Sequence, residues 1–220
     1  MNAVWLAAPS LRRGYLDECY EFLLDGRGTR LLLDLGGQRA NRRGTFDPSR
    51  HADRVVTVNI SPETRPDIVA DAADLPIRSH SVEVVLCSEM LEHVRFPEVV
   101  VCEISRVLVE PGGLAIMSSP FLVALHRDPS DFRRLLADQW VTLCREYDLV
   151  LEALLPQGSV ASVLVDGLAH LGWTAMPRRP WVGRGVVALA RRLRRLARWI
   201  DARWPVESVT TGWVCVARKP

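Results

Sequence analysis

DAADLPIRSHSVEVVLCSEMLEHVRFPEVVVCEISRVLVEPGGLAIMSSP, residues 71–120, contains a complete strand–helix–strand unit and decides the fold. Val82 to Ser88 is a short, largely apolar run, as expected of a strand buried on both faces of a parallel sheet. Pro97 opens a helix that runs to about Val109, because the proline ring suits the first helical turn. Pro111-Gly112-Gly113 stops it and reverses the chain. Leu114 to Ser118 then forms the next strand.

Working outward, the same alternation continues in both directions. Upstream, residues 11–25 read as a helix with Leu16, Cys19, Tyr20 and Leu23 on one face. Arg30–Leu35, Arg54–Ile60 and Asp67–Asp71 read as strands, the first stopped by Gly36-Gly37. Downstream, Asp128-Pro129 looks like an N-cap followed by proline at the first helical position, opening a helix to about Tyr147. Asp148–Leu155 and Thr210–Ala217 supply a sixth and a seventh strand. The fold class is therefore α/β, a mostly parallel seven-stranded sheet with helices on both faces. Residues 157–205 break the alternation and read as a helical insertion or lid inside a single domain spanning residues 1–220.

Composition narrows the setting. At 220 residues, 48% hydrophobic and 25% charged, the chain can bury a sizeable core without disulfide or metal staples. Its five cysteines are scattered and form no C-x-x-C pair, so free thiols in a reducing cytosol are expected. The first residues lack the basic flank of a signal peptide, and no apolar run is long enough to span a bilayer. A cytoplasmic protein is the expectation. The chain shows no metal-ligand spacing, and no metal is expected.

In an open α/β sheet, ligands bind beyond the carboxyl ends of the strands. Those ends here carry Asp34-Leu35-Gly36-Gly37, Asn59, Asp71-Ala72-Ala73-Asp74 and Ser88-Glu89-Met90-Leu91-Glu92-His93. Glycine allows a tight turn and a close backbone approach to a ligand. The blocks 71–76, 81–85, 89–94, 103–108 and 111–113 occur in order, followed by Pro120-Phe121 and His126 to Phe132. On these motifs, residues 31–134 resemble the Rossmann-like class I S-adenosylmethionine-dependent methyltransferases, specifically the type 11 group.

The resemblance implies a cofactor, S-adenosylmethionine, and roles for individual residues. Asp34, Gly36 and Gly37 match the loop that takes the methionine part. Asn59 stands where the family usually has a ribose-binding acid. Asp71 and Ala72 match the turn that meets adenine, and Glu89 borders the methionine portion. His93 and His126 are the candidate catalytic bases, with Glu92 beside them, because imidazole titrates near neutrality. Gln38 and Ala40 replace two glycines of the usual D-x-G-x-G-x-G pattern. The implied activity is methylation of a small molecule or glycan, with oxygen ahead of nitrogen or carbon as acceptor. These departures also keep open a catalytically degenerate protein that binds a partner or acts at a membrane surface.

The last fifty residues differ from the rest. Residues 171–220 hold eleven Arg or Lys and two acids, a balance of +9, so with a total of +2 the first 170 residues sum to −7. Within residues 184–204, Val186, Leu189, Leu193, Leu196 and Ile200 recur at helical spacing beside five arginines, with Trp199 and Trp204 nearby. Two readings stand: peripheral contact of 184–204 with anionic lipid at the inner membrane face, or packing of this apolar face on the domain. No nucleic-acid-binding motif accompanies the basic stretch. The acceptor's identity and the oligomeric state have no sequence signal.

Overall fold

The computed structural model describes residues 10–39, 44–126 and 130–220. A seven-stranded sheet is built from β1 (Thr29–Leu35), β2 (Ala52–Asn59), β3 (Ile68–Val69), β4 (Val84–Ser88), β5 (Leu114–Pro120), β6 (Val150–Pro156) and β7 (Gly212–Arg218). The order is β3-β2-β1-β4-β5-β7-β6. β1 to β5 pair in parallel, while β7 inserts antiparallel between β5 and β6. β1 and β4 lie side by side at the point where strand order reverses, which is where a ligand crevice is expected.

Two apolar clusters sandwich the sheet. On one face α2 (Pro97–Val107) and α3 (Ala137–Glu146) bury Val100, Ile104 and Trp140 against Leu33, Val85, Cys87 and Met117. On the other, α1 (Leu11–Leu24) buries Leu16, Tyr20 and Leu24 against Leu32, Leu86 and Ile116. Alternate residues of each central strand thus feed opposite clusters, as a pleated strand requires. All five cysteines are free.

Helices do not link every pair of neighbouring strands. Among the described residues, the connections from β1 to β2 and from β2 to β3 contain only single 3-10 turns, at Pro48–Arg50 and Pro62–Thr64. A cleft of about 600 Å3 opens there, lined by Leu31, Leu33, Val56 and Ile68. The helix expected from Asp128 to Tyr147 is shorter. Asp128 and Pro129 lie outside the described residues, Ser130 to Leu136 are non-helical, and α3 begins at Ala137. There Leu136 N donates to Gln139 Oε1 at 2.9 Å, which satisfies the donor that precedes the helix.

The insertion forms a hairpin of α4 (Val160–Ala175) and α5 (Pro180–Arg203). The buried face of α5 differs from the one the leucine spacing predicts. Gly183, Val187, Ala190, Ala197 and Asp201 are buried, while Leu189 and Leu196 are exposed. The cause is close approach: a Cβ on Gly183 would lie 2.6 Å from Gly172 O, so only small side chains fit between the helices. Aspartates then tie the helices together. Asp201 accepts from Ser159, Ala161 and Ser162 N at 2.9–3.0 Å and caps α4. Asp166 of α4 in turn accepts from Leu11 and Arg12 N at 3.1 and 3.3 Å and helps cap α1.

Candidate active site

The site begins at the turn after β1. Gly36 has φ +75°, a left-handed conformation that favours glycine, and its N donates to Val58 O at 2.8 Å. A Cβ on Gly37 would lie 2.3 Å from Asp34 Oδ2, so the buried Asp34 side chain and the turn fit only because residue 37 has no side chain. Asn59, at the end of β2, holds the turn from the other side. Its Nδ2 donates to Gly36 O at 3.0 Å and Gly37 O at 3.1 Å, and its Oδ1 accepts from Ser61 N at 2.9 Å. A carboxylate has no hydrogen to give those carbonyls. Asparagine therefore stabilises a turn that has lost the usual second glycine.

The turn after β3 is braced by α2. Glu103 Oε2 accepts from Leu75 N at 2.8 Å, and Arg106 donates to Leu75 O at 3.1 Å and Ile77 O at 2.8 Å. Hydrogen bonding to Arg106 holds Glu103 below the usual carboxylate range. Asp71 is exposed, with Oδ1 accepting from Ala73 N at 2.9 Å, and Ala72 packs at the edge of the core. The sequence blocks 71–76 and 103–108 are thus one unit in space.

At the end of β4, Glu89 adopts φ +55°, a conformation a non-glycine residue rarely holds without reason. Its N donates to Ser118 Oγ at 3.1 Å, and its carboxylate forms an ion pair with Arg12 from α1. Arg12 is mostly buried, and desolvation pushes its guanidinium down to about 10. Nothing in the sequence marks Arg12, which looks like one of many surface arginines. Its position follows from the cap by Asp166, 154 residues away.

One turn on, Glu92 is completely buried on the 3-10 turn Leu91–His93, and among the described residues its carboxylate has no hydrogen-bond partner beyond its own backbone N–H. His93 Nε2 and His126 Nε2 lie 3.6 and 3.8 Å from Glu92 Oε1, and the two rings meet edge-on with centroids 5.2 Å apart. His93 Nδ1 donates to Ser130 O. His126 Nδ1 lies 3.5 Å from Asp131 Oδ2, and Asp131 is pulled down to about 2, chiefly by its hydrogen bonds with Arg134. Burial pushes Glu92 up and His126 down from their ordinary values. Arg133 reaches Glu98 Oε1 at 3.4 Å and Arg95 O.

Residues 26–117 match the family model described as a methyltransferase domain. The strand order and the antiparallel β7 are those of the class I S-adenosylmethionine-dependent methyltransferase fold. Solved structures agree on the fold. The [4+2]-cyclase SpnF is 18% identical, with 93% of this chain and 80% of that one covered and a TM-score of 0.59. A geranyl diphosphate C-methyltransferase from Streptomyces coelicolor A3(2), solved with Mg2+, geranyl diphosphate and S-adenosyl-L-homocysteine, is 14% identical, with coverage of 94% and 77% and a TM-score of 0.58. The phosphoethanolamine N-methyltransferase 2 of Haemonchus contortus, solved with S-adenosylmethionine, is 11% identical, with coverage of 94% and 52% and a TM-score of 0.58. No curated protein matches.

The fold brings the sequence-predicted residues to the carboxyl ends of β1 to β5 and the segments after them. Their chemistry fits the cofactor. The glycine turn supplies close backbone, Asp34 and Glu89 supply carboxylates on neighbouring strands, and Asp71 keeps Oδ2 available as an acceptor. Ala40 lies outside the described residues. Among the described residues, no helix is long and apolar enough to cross a membrane.

Proposed function

We propose that this chain transfers the methyl group of S-adenosylmethionine to a hydroxyl of a small molecule or glycan. The observation that carries this reading is the proximity of a glycine turn and an imidazole–carboxylate cluster, at the ends of neighbouring strands β1 and β4. The cofactor supplies a methyl group made electrophilic by its sulfonium. Gly36 and Gly37 allow the main chain to approach the methionine part, while Asp34 and Glu89 border it. Arg12, beside Glu89, is suited to the methionine carboxylate. Asp71 and Ala72 meet the adenine, and the remaining lone pair of Asn59 Oδ1 accepts from a ribose hydroxyl.

Transfer requires an aligned acceptor in a site that excludes water. A hydroxyl acceptor must also lose a proton. His126 is kept neutral by burial and is oriented by Asp131, so its Nε2 can take that proton, with His93 beside it. Calorimetry with S-adenosylhomocysteine tests the cofactor site: no heat at millimolar ligand sinks the reading, and unchanged affinity in Asp34→Ala removes the site assignment. A panel of hydroxylated acceptors, read by S-adenosylhomocysteine release, tests the acceptor class. Turnover lost in His126→Ala with cofactor affinity intact supports the base.

A second reading concerns location, and exposure on α5 favours it. Trp181, Leu189, Leu196 and Trp199 all face solvent on this helix, interleaved with Arg191, Arg192 and Arg195. Such a face suits the headgroup region of an anionic membrane, arginines on phosphates and tryptophans at the boundary. Failure to sediment with phosphatidylglycerol vesicles at low salt would exclude this.

A further inference from the structure

We infer that Glu92, His93 and His126 form a binding site for one first-row divalent metal ion. Their ligand atoms all lie within 4.8 Å of one another. Two donors bound tetrahedrally at ~2.1 Å stand about 3.4 Å apart. The observed 3.6 and 3.8 Å from Glu92 Oε1 to the two Nε2 atoms are close to that spacing.

Three further observations support a cation here. First, among the described residues both Glu92 oxygens are buried with no donor beyond the residue's own backbone N–H, an arrangement that is costly for a charge unless something positive meets it. Second, each imidazole is held at its far nitrogen. His93 Nδ1–H is given to the Ser130 carbonyl, and His126 Nδ1 faces the Asp131 carboxylate. That leaves both Nε2 lone pairs directed at Glu92, with the outer support that metal-binding histidines typically have. Third, the neighbouring guanidiniums are already matched. Arg12 pairs with Glu89 and Arg134 with Asp131, so Glu92 is the charge left unbalanced.

The donor set, two imidazoles and one carboxylate, favours Zn2+, Fe2+, Co2+ or Mn2+ over the all-oxygen preference of Mg2+ or Ca2+. Three protein ligands leave positions open for water or an acceptor oxygen. Binding needs none of the functional reading above, but its consequence rests on it. A hydroxyl bound to the ion would be acidified directly, and the imidazoles would act as ligands in place of proton acceptors. Sequence spacing hides the set, because His126 lies 33 residues beyond His93 across α2 and β5.

The test uses tag-free, full-length protein stripped with a chelator. Co2+ titration followed by visible absorption, and Zn2+ calorimetry, should show one ion per chain. Glu92→Gln and His126→Ala should each weaken binding at least tenfold, while S-adenosylhomocysteine affinity and the thermal transition remain, showing the variants folded. No uptake by the wild-type protein overturns the inference. So does uptake that both variants leave unchanged, which would place the ion elsewhere, at exposed His80 or Cys102 for instance. Absence of S-adenosylhomocysteine binding with the metal result intact would instead overturn the cofactor assignment.

Discussion

The glycine turn and the Glu92 cluster lie on neighbouring strands yet treat their polar groups in opposite ways. At the turn, the Asn59 amide meets two carbonyls and a backbone N–H, and Gly37 leaves room for Asp34. In the cluster, a buried carboxylate meets, among the described residues, no donor beyond its own backbone N–H. The difference separates two kinds of preorganisation. The turn is complete without ligand and fixes a shape, whereas the cluster keeps an unmet charge for whatever binds. Substitutions at the two places should therefore have effects of opposite sign on stability.

The largest effect is expected at the turn. Gly37→Ala places a methyl 2.3 Å from Asp34 Oδ2, so the carboxylate or the loop must move. Overpacking of this kind costs about 1–3 kcal/mol. In the proposed site the displaced group borders the cofactor, so S-adenosylhomocysteine affinity should fall by about 5- to 150-fold. Calorimetry checks this, and an unchanged affinity would show that the turn is not where the methionine part sits.

Asn59→Asp comes next and bears on what the sequence could reveal. The aspartate is what the family usually carries, so resemblance alone predicts improvement. The hydrogen bonds predict the reverse, since a carboxylate would face the Gly36 and Gly37 carbonyls with no proton to offer. The expected loss is about 2 kcal/mol in stability, read from urea unfolding. A variant as stable as the wild type would break the comparison at its first arm.

Much of the fold was legible because its signals are local. Pro97, the Pro111-Gly112-Gly113 stop and the apolar runs of β1, β4 and β5 each announce themselves within a few residues. The misreadings arose where a distant contact overrides local pattern. Leu189 and Leu196 have helical spacing, but Gly172 and Gly183 draw α4 so near that Val187 and Ala190 occupy the interface. The α3 start failed similarly, because the stretch after Asp128-Pro129 is held by distant groups, Phe132 N donating to Glu92 O at 2.8 Å and Arg133 to Arg95 O. Site residues on strand ends were readable for the same reason the strands were. Arg12 and Asp131 were not, since a charged residue gives no sign of which partner the fold will bring to it.

In the cluster the sign should reverse. Glu92→Gln replaces this buried carboxylate by a neutral amide of similar volume. The metal-free protein should gain about 1 kcal/mol, seen as a higher urea midpoint at unchanged slope, while turnover falls. Destabilisation would mean that the carboxylate is already satisfied, and the contrast between the two regions would fail.

The smallest effect is expected between them. Tyr20 OH lies 2.7 Å from Ser118 Oγ and 3.0 Å from Ser88 Oγ, and Ser118 Oγ in turn contacts Glu89 N and Oε1. Burial pushes the phenol up to about 12, so it remains a neutral donor beneath the end of β4. Tyr20→Phe removes that donor without opening a cavity and should cost about 1 kcal/mol. Its consequence should fall on Glu89, held at φ +55° by the Ser118 contacts, and not on the glycine turn, which Asn59 secures independently. Cofactor affinity should then change less than threefold even as the unfolding midpoint drops. A loss comparable to that of Gly37→Ala would show that Glu89 and the turn act as one unit, and that the boundary between a complete region and a waiting one lies at Glu92 alone.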